Sequence, residues 1–127
     1  MGKKKILIVD DEESFLQMLK LNLEEAGTYE VMGLMNAKEI LSTVHSFRPQ
    51  VILLDLIMPT IGGLEVCEML NNDPIGKTIP IIIISALDKD VDKVKAFKLG
   101  VVGYLVKPIQ TENVIALVNK SLEFKQQ

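Results

Sequence analysis

Short apolar runs and stretches with helix-spaced apolar residues alternate five times along this chain, and no other feature limits its fold so strongly. The runs cover residues 6–9, 29–35 (broken by Gly33), 51–54, 79–84 and 104–106. Helical spacing follows each of them: Leu16, Leu19, Leu23 and Ala26; then Ile40, Leu41 and Val44 within residues 37–46. A third helix is expected over residues 64–70 and a fourth over 88–99, with Val91, Val94 and Phe97 turned inward. The last carries Val114, Leu117 and Val118 on its inner face. Asn36 and Thr111 are placed to cap helices, and Gly27 and Gly100 to stop them. Val51-Ile52-Leu53-Leu54 and the isoleucines before Ser85 have no polar alternation, as a strand covered on both faces requires. Strand–helix alternation with such strands predicts an α/β fold with right-handed crossovers. Five units suit a doubly wound, flavodoxin-like, five-stranded parallel sheet in the order 2-1-3-4-5, with five helices.

At 127 residues and 48% hydrophobic, the chain is read as one domain, residues 1–127, able to bury a real core. The net charge of −3, with Lys3-Lys4-Lys5 as the one basic run, argues against direct nucleic-acid binding. The single cysteine, Cys67, excludes an internal disulfide and reads as a packed thiol in a reducing interior. No apolar run is long enough to span a bilayer, and the N-terminus lacks a signal-peptide design. A soluble, cytoplasmic protein without membrane contact is therefore expected. Met18, Met32, Met35 and Met69 read as core filler, and His45 as a helix-end residue favoured by the dipole.

In the expected strand order the first and third strands flank the topological switch point, where ligands bind at the carboxyl ends. The residues ending strands one, three, four and five then converge: Asp10 and Asp11, Asp55, Ser85 and Lys107. Carboxylates crowded into one crevice raise one another's pKa unless a cation joins them. A hard divalent ion such as Mg²⁺, taking a few carboxylates and keeping several waters, meets that need. Lys107 adds an ammonium and Ser85 a hydroxyl, so a group with several anionic oxygens, such as phosphoryl, would be met on every side. Asp55 on the central strand is the natural nucleophile, forming an aspartyl phosphate, with Asp10 and Asp11 as metal carboxylates. Each residue alone has a plainer reading as helix cap or strand punctuation; their arrival on one edge favours a shared site.

Asp10-Asp11, Asp55-Leu56-Ile57-Met58-Pro59, Ser85-Ala86 and Tyr104-Leu105-Val106-Lys107-Pro108 resemble, in order and spacing, the receiver domains of two-component response regulators. The resemblance implies that Asp55 accepts a phosphoryl group from a phosphohistidine on a histidine kinase or phosphotransfer protein. It implies Mg²⁺ bound by Asp11, Asp55 and the backbone carbonyl of Ile57, with Asp10 acting mostly through water. Lys107 would contact the phosphoryl group, and its bond to Pro108 would be cis. Ser85 and Tyr104 would form the switch, altering the surface of the fourth helix, fifth strand and fifth helix to control an output domain or protein. On this reading the chain is a signalling switch and not an enzyme on external substrates. Whether the phosphorylated form pairs with a second copy stays open, as does whether the receiver stands alone or is cut from a longer regulator or hybrid kinase.

Some residues depart from the family pattern. Gly62 stands where many relatives carry an acid. Ile57 and Leu87, two positions beyond Asp55 and Ser85, are apolar and are expected to hinder attacking water and lengthen the life of the phosphorylated form. Val101 and Val102 either make an apolar patch on the output face or pack inward. Three rival functions fit these residues less well. An aspartyl-nucleophile phosphatase would want a second carboxylate where Ile57 stands. A flavodoxin-like electron carrier needs a phosphate-cradling loop where Asp10-Asp11-Glu12-Glu13 would repel phosphate. A receiver-like interaction module independent of phosphorylation would have no need of the acids and Lys107.

Overall fold

The computed structural model describes residues 2–125. Strands β1 (Lys4–Val9), β2 (Tyr29–Leu34), β3 (Val51–Leu54), β4 (Ile81–Ser85) and β5 (Gly103–Val106) alternate with helices α1 (Glu13–Glu25), α2 (Ile40–Phe47), α3 (Gly63–Asn71), α4 (Asp90–Lys98) and α5 (Thr111–Lys125). A single 3-10 turn, Gly76–Thr78, precedes β4. All strand pairs are parallel, in the order β2-β1-β3-β4-β5. The expected architecture is the observed one.

Alternate residues of each strand feed opposite cores, which is why the runs are apolar throughout. Leu7, Val9, Ile52, Leu54, Ile81 and Ile83 pack with Ile40 and Val44 of α2, Val66, Cys67 and Leu70 of α3, and Ala96 of α4. Ile6, Ile8, Val51, Leu53, Ile82 and Ile84 pack with Leu16, Leu19 and Leu23 of α1 and Val114, Val118 and Leu122 of α5. Ile82 and Ile83 are fully buried, and each such side chain contributes about 1.5–3 kcal/mol of transfer free energy. Gly33 interrupts the β2 run for a packing reason: a Cβ there would stand 2.9 Å from Leu16 Cδ1. The broken run is the edge strand expected of it.

Several local expectations are corrected. Ala26 is exposed, because α1 ends at Glu25 before that residue can reach the core. Asn36 accepts the N–H of Lys38 in a turn and does not cap α2, which starts only at Ile40. Met18, Met32 and Met35 are exposed rather than core filler. The largest departure is α4, where Val91, Val94 and Phe97 are each about half exposed and Ala96 is the buried contact. Val101 and Val102 divide between the two readings, the first buried and the second at the surface. Cys67 is fully buried, and loss of water around it pushes the thiol up to about 11, as a packed and inert group. His45 stands in the last turn of α2 and also pairs with Asp73 at 2.8 Å. No helix among the described residues is long and apolar enough to cross a membrane.

Candidate functional site

The sheet ladder runs one residue past the strands, and that extension positions the site. The N–H of Asp10 bonds to Leu34 O and that of Asp55 to Val9 O, both at 3.0 Å, while Lys107 N–H bonds to Ser85 O at 2.9 Å. Asp10, Asp55 and Lys107 are therefore each held by a neighbouring strand's end before their side chains make any contact. Beyond Asp55 the chain turns sharply, with Gly63 N–H returning to Leu56 O at 3.0 Å. A Cβ at Gly63 would lie 2.5 Å from Asp55 O, so only glycine lets α3 start against the backbone of the central site residue.

Within this frame one carboxylate oxygen from each of Asp10, Asp11 and Asp55 falls within 4.8 Å of the others. Asp10 and Asp55 are buried and Asp11 is exposed, so the cluster opens to solvent on one side. Lys107 Nζ donates to Asp10 Oδ2 at 2.8 Å and to Asp55 Oδ2 at 3.3 Å, joining strands one, three and five by charge. Asp10 Oδ1 accepts the N–H of Glu12 at 2.9 Å, and Asp55 Oδ1 accepts that of Ile57 at 3.1 Å. The same carboxylate that faces the site therefore also anchors the entry to α1.

Burial pushes the Asp10 carboxyl above its ordinary range, against the opposing pull of Lys107 and the Glu12 N–H, while the Asp55 charge adds to the rise. Burial alone would lower the Lys107 ammonium, but its bonds to Asp10 and Asp55 outweigh this and hold it above the ordinary lysine value. A buried carboxylate pair sharing one ammonium, with a third acid at the open side, is a hard, oxygen-rich donor set. Those donors suit Mg²⁺ better than zinc or copper, which prefer nitrogen and sulfur.

Ser85 is fully buried at the end of β4, beside Val106. Its Oγ accepts the N–H of Leu87 at 3.3 Å. Tyr104 is half-buried on β5, and its hydroxyl donates to Leu87 O at 2.7 Å. Asp10, Asp11, Asp55 and Lys107 are thus brought together, whereas the hydroxyls of Ser85 and Tyr104 both contact Leu87 in the next loop. Ile57 adjoins Asp55 through its N–H and leaves its side chain half exposed. The Lys107–Pro108 bond is cis. Sequence reasoning missed two residues around Lys107: Glu12, whose Oε1 is 3.6 Å from Nζ, and Phe15, whose ring centroid is 4.2 Å from it. The available signal was position alone, since Glu12 and Phe15 follow Asp10-Asp11 directly, at the N-cap and in the first turn of α1.

Residues 6–119 match the response regulator receiver domain family. The chain is 38% identical over 119 residues to the alkaline phosphatase synthesis transcriptional regulatory protein PhoP of Bacillus subtilis, covering 94% of this chain and 48% of that protein. It thus spans about half the length of that curated relative. Among solved structures, a response regulator of Chloroflexus aurantiacus superposes with a TM-score of 0.89 at 30% identity, covering 96% of this chain and 99% of the other. Chemotaxis protein CheY4 of Vibrio cholerae gives 0.87 at 29% identity, covering 94% and 98%. With that fold, these strand-end acids and a lysine spanning two of them, the chain belongs to the receiver domain family of two-component response regulators.

Proposed function

We propose that this domain is a phosphoacceptor switch in which Asp55 takes a phosphoryl group from a phosphohistidine of a histidine kinase or phosphotransfer protein. The observation that carries this reading is Lys107 Nζ standing 2.8 Å from Asp10 and 3.3 Å from Asp55, inside a cluster of three carboxylates. An Asp55 carboxylate oxygen attacks phosphorus, the P–N bond to the donor imidazole breaks, and its electron pair leaves with the imidazole nitrogen. Lys107 supplies positive charge where the phosphoryl oxygens gather, with the Phe15 ring centroid 4.2 Å from its ammonium.

Asp11 and Asp55 would hold Mg²⁺ directly together with the backbone carbonyl of Ile57, and Asp10 would act mostly through water. The ion, when bound, neutralises phosphoryl oxygens and orients them for in-line transfer. A phosphoryl group on Asp55 then offers acceptor oxygens that draw the Ser85 hydroxyl inward. Tyr104 follows, and the surface of α4, β5 and α5 changes for a downstream output domain or protein. The apolar side chains of Ile57 and Leu87 hinder water at the acyl phosphate and prolong its life. The domain assists its own phosphotransfer and dephosphorylation and turns over no external substrate.

Incubation with acetyl phosphate, followed by intact mass, tests the reading. Wild type gains one phosphoryl group with Mg²⁺ and none when a chelator removes it, and Asp55→Asn gains none in either case. Equal gain by Asp55→Asn would move the nucleophile elsewhere. No gain by wild type would leave an interaction module independent of phosphorylation.

A further inference from the structure

The phosphoacceptor reading gives Ser85, Tyr104 and Lys107 their roles but leaves unexplained a group of contacts around the loop after β4. Lys93, on α4, pairs its Nζ with Asp88 Oδ1 at 2.8 Å. The same ammonium lies 5.9 Å from the centroid of the Tyr104 ring, within the range of an attractive cation–π contact. Tyr104 in turn holds Leu87 O at 2.7 Å, and Leu87 N–H is the group that Ser85 Oγ accepts at 3.3 Å. The four contacts close a ring: Ser85 to Leu87, Leu87 to Tyr104, Tyr104 to Lys93, and Lys93 back to Asp88 beside Leu87. The loop is thus gripped at consecutive residues by two different elements, α4 and β5. The bond to Asp88, with Asp88 and Asp90 as neighbouring charges, holds the Lys93 ammonium above its ordinary range, so it stays charged.

We propose that Lys93 is a positioning residue that braces residues 85–88 in the arrangement seen here, against the inward movement of Ser85 that a phosphoryl group on Asp55 demands. The proposal rests on the phosphoacceptor reading and adds to it a setting for the switch. Drawing the Ser85 hydroxyl inward strains its bond from Leu87 N–H and pulls on the residue whose carbonyl Tyr104 holds. With the braced arrangement predominant in the unphosphorylated protein, whatever stabilises it alone weakens phosphoryl binding by the same factor. Both contacts of Lys93 are partly exposed and individually weak, so the effect belongs in the range of about three- to fivefold and not in orders of magnitude.

The test uses the full chain and beryllium trifluoride with Mg²⁺ as a stable phosphoryl probe, titrated while the Leu87 amide is followed by NMR. Lys93→Met keeps the aliphatic stem and removes the charge, Lys93→Arg keeps the charge, and Asp88→Asn removes the ion pair alone. Lys93→Met should bind the probe about three- to fivefold more tightly than wild type. Asp88→Asn should show part of that gain and Lys93→Arg none of it, with Mg²⁺ affinity measured without the probe unchanged in all. A merely structural role for Lys93 would lower thermal stability without tightening the probe. Unchanged or weaker binding by Lys93→Met, or Lys93→Arg behaving like it, overturns the brace. If wild type binds the probe no better than Asp55→Asn, the phosphoacceptor reading itself falls and the brace with it.

Discussion

Asp10 shows how single residues in this site trade stability against chemistry. Its carboxyl is 2% exposed, shares an ammonium with Asp55, and is held above the ordinary value of 3.8 chiefly by loss of water. Because the folded protein keeps that proton to higher pH than the unfolded chain, unfolding releases it in the window above 3.8. Stability contributed through Asp10 therefore falls as pH rises through that window and stays lower at neutral pH. Lys107 works at the other end of the scale. Its folded pKa lies above 10.5, so its contribution is complete below that value and is lost as pH rises through the folded one. Asp10→Asn should flatten the acidic part of the stability–pH profile. It should also raise stability at neutral pH by on the order of 1 kcal/mol, because Lys107 keeps Asp55 as partner. Urea unfolding across the acidic range checks both, and an unchanged slope would contradict the assignment of the burial cost to Asp10.

At the scale of elements, two buried glycines separate backbone contact from side-chain contact. A Cβ at Gly63 meets Asp55 O at 2.5 Å and Leu56 Cα at 2.6 Å, whereas one at Gly103 meets the movable Leu117 Cδ2 at 2.6 Å. Gly63→Ala should cost about 3 kcal/mol, near the upper end for overpacking, and Gly103→Ala about 1 kcal/mol. Denaturant midpoints measure the difference, and equal costs would mean that the 55–63 turn yields more easily than its geometry suggests. The strands were legible because a sheet covered on both faces leaves an unbroken apolar signature, as in the isoleucines that precede Ser85 in β4. The helix α4 was not. Val91, Val94 and Phe97 recur at core spacing, yet the helix rests on the sheet cluster through Ala96 and turns that row to the surface. Periodicity finds an apolar face without saying what covers it. The start of α2 was misplaced for a related reason, since an Asx turn at Asn36 and a helix cap share one sequence signal.

Across the whole molecule, the site was legible because the topology does the gathering. A doubly wound sheet brings the carboxyl ends of β1, β3, β4 and β5 to one edge, so the residues that end those runs name the site. What the linear order could not carry was contact across that edge. The approach of Phe15 and Glu12 to Lys107, and the meeting of Ser85, Tyr104 and Lys93 around the loop after β4, depend on rotamers and helix placement. Those contacts turn a set of acids into a shaped corner with a hydrogen-bonded loop beside it. The sharpest trial of that corner is to locate the bond it forms. After reaction with acetyl phosphate and Mg²⁺, borohydride reduces an aspartyl phosphate to homoserine, and peptide mapping then reads the position. Homoserine at residue 55 alone is the expected result; phosphate on another residue, or none on any, would contradict it.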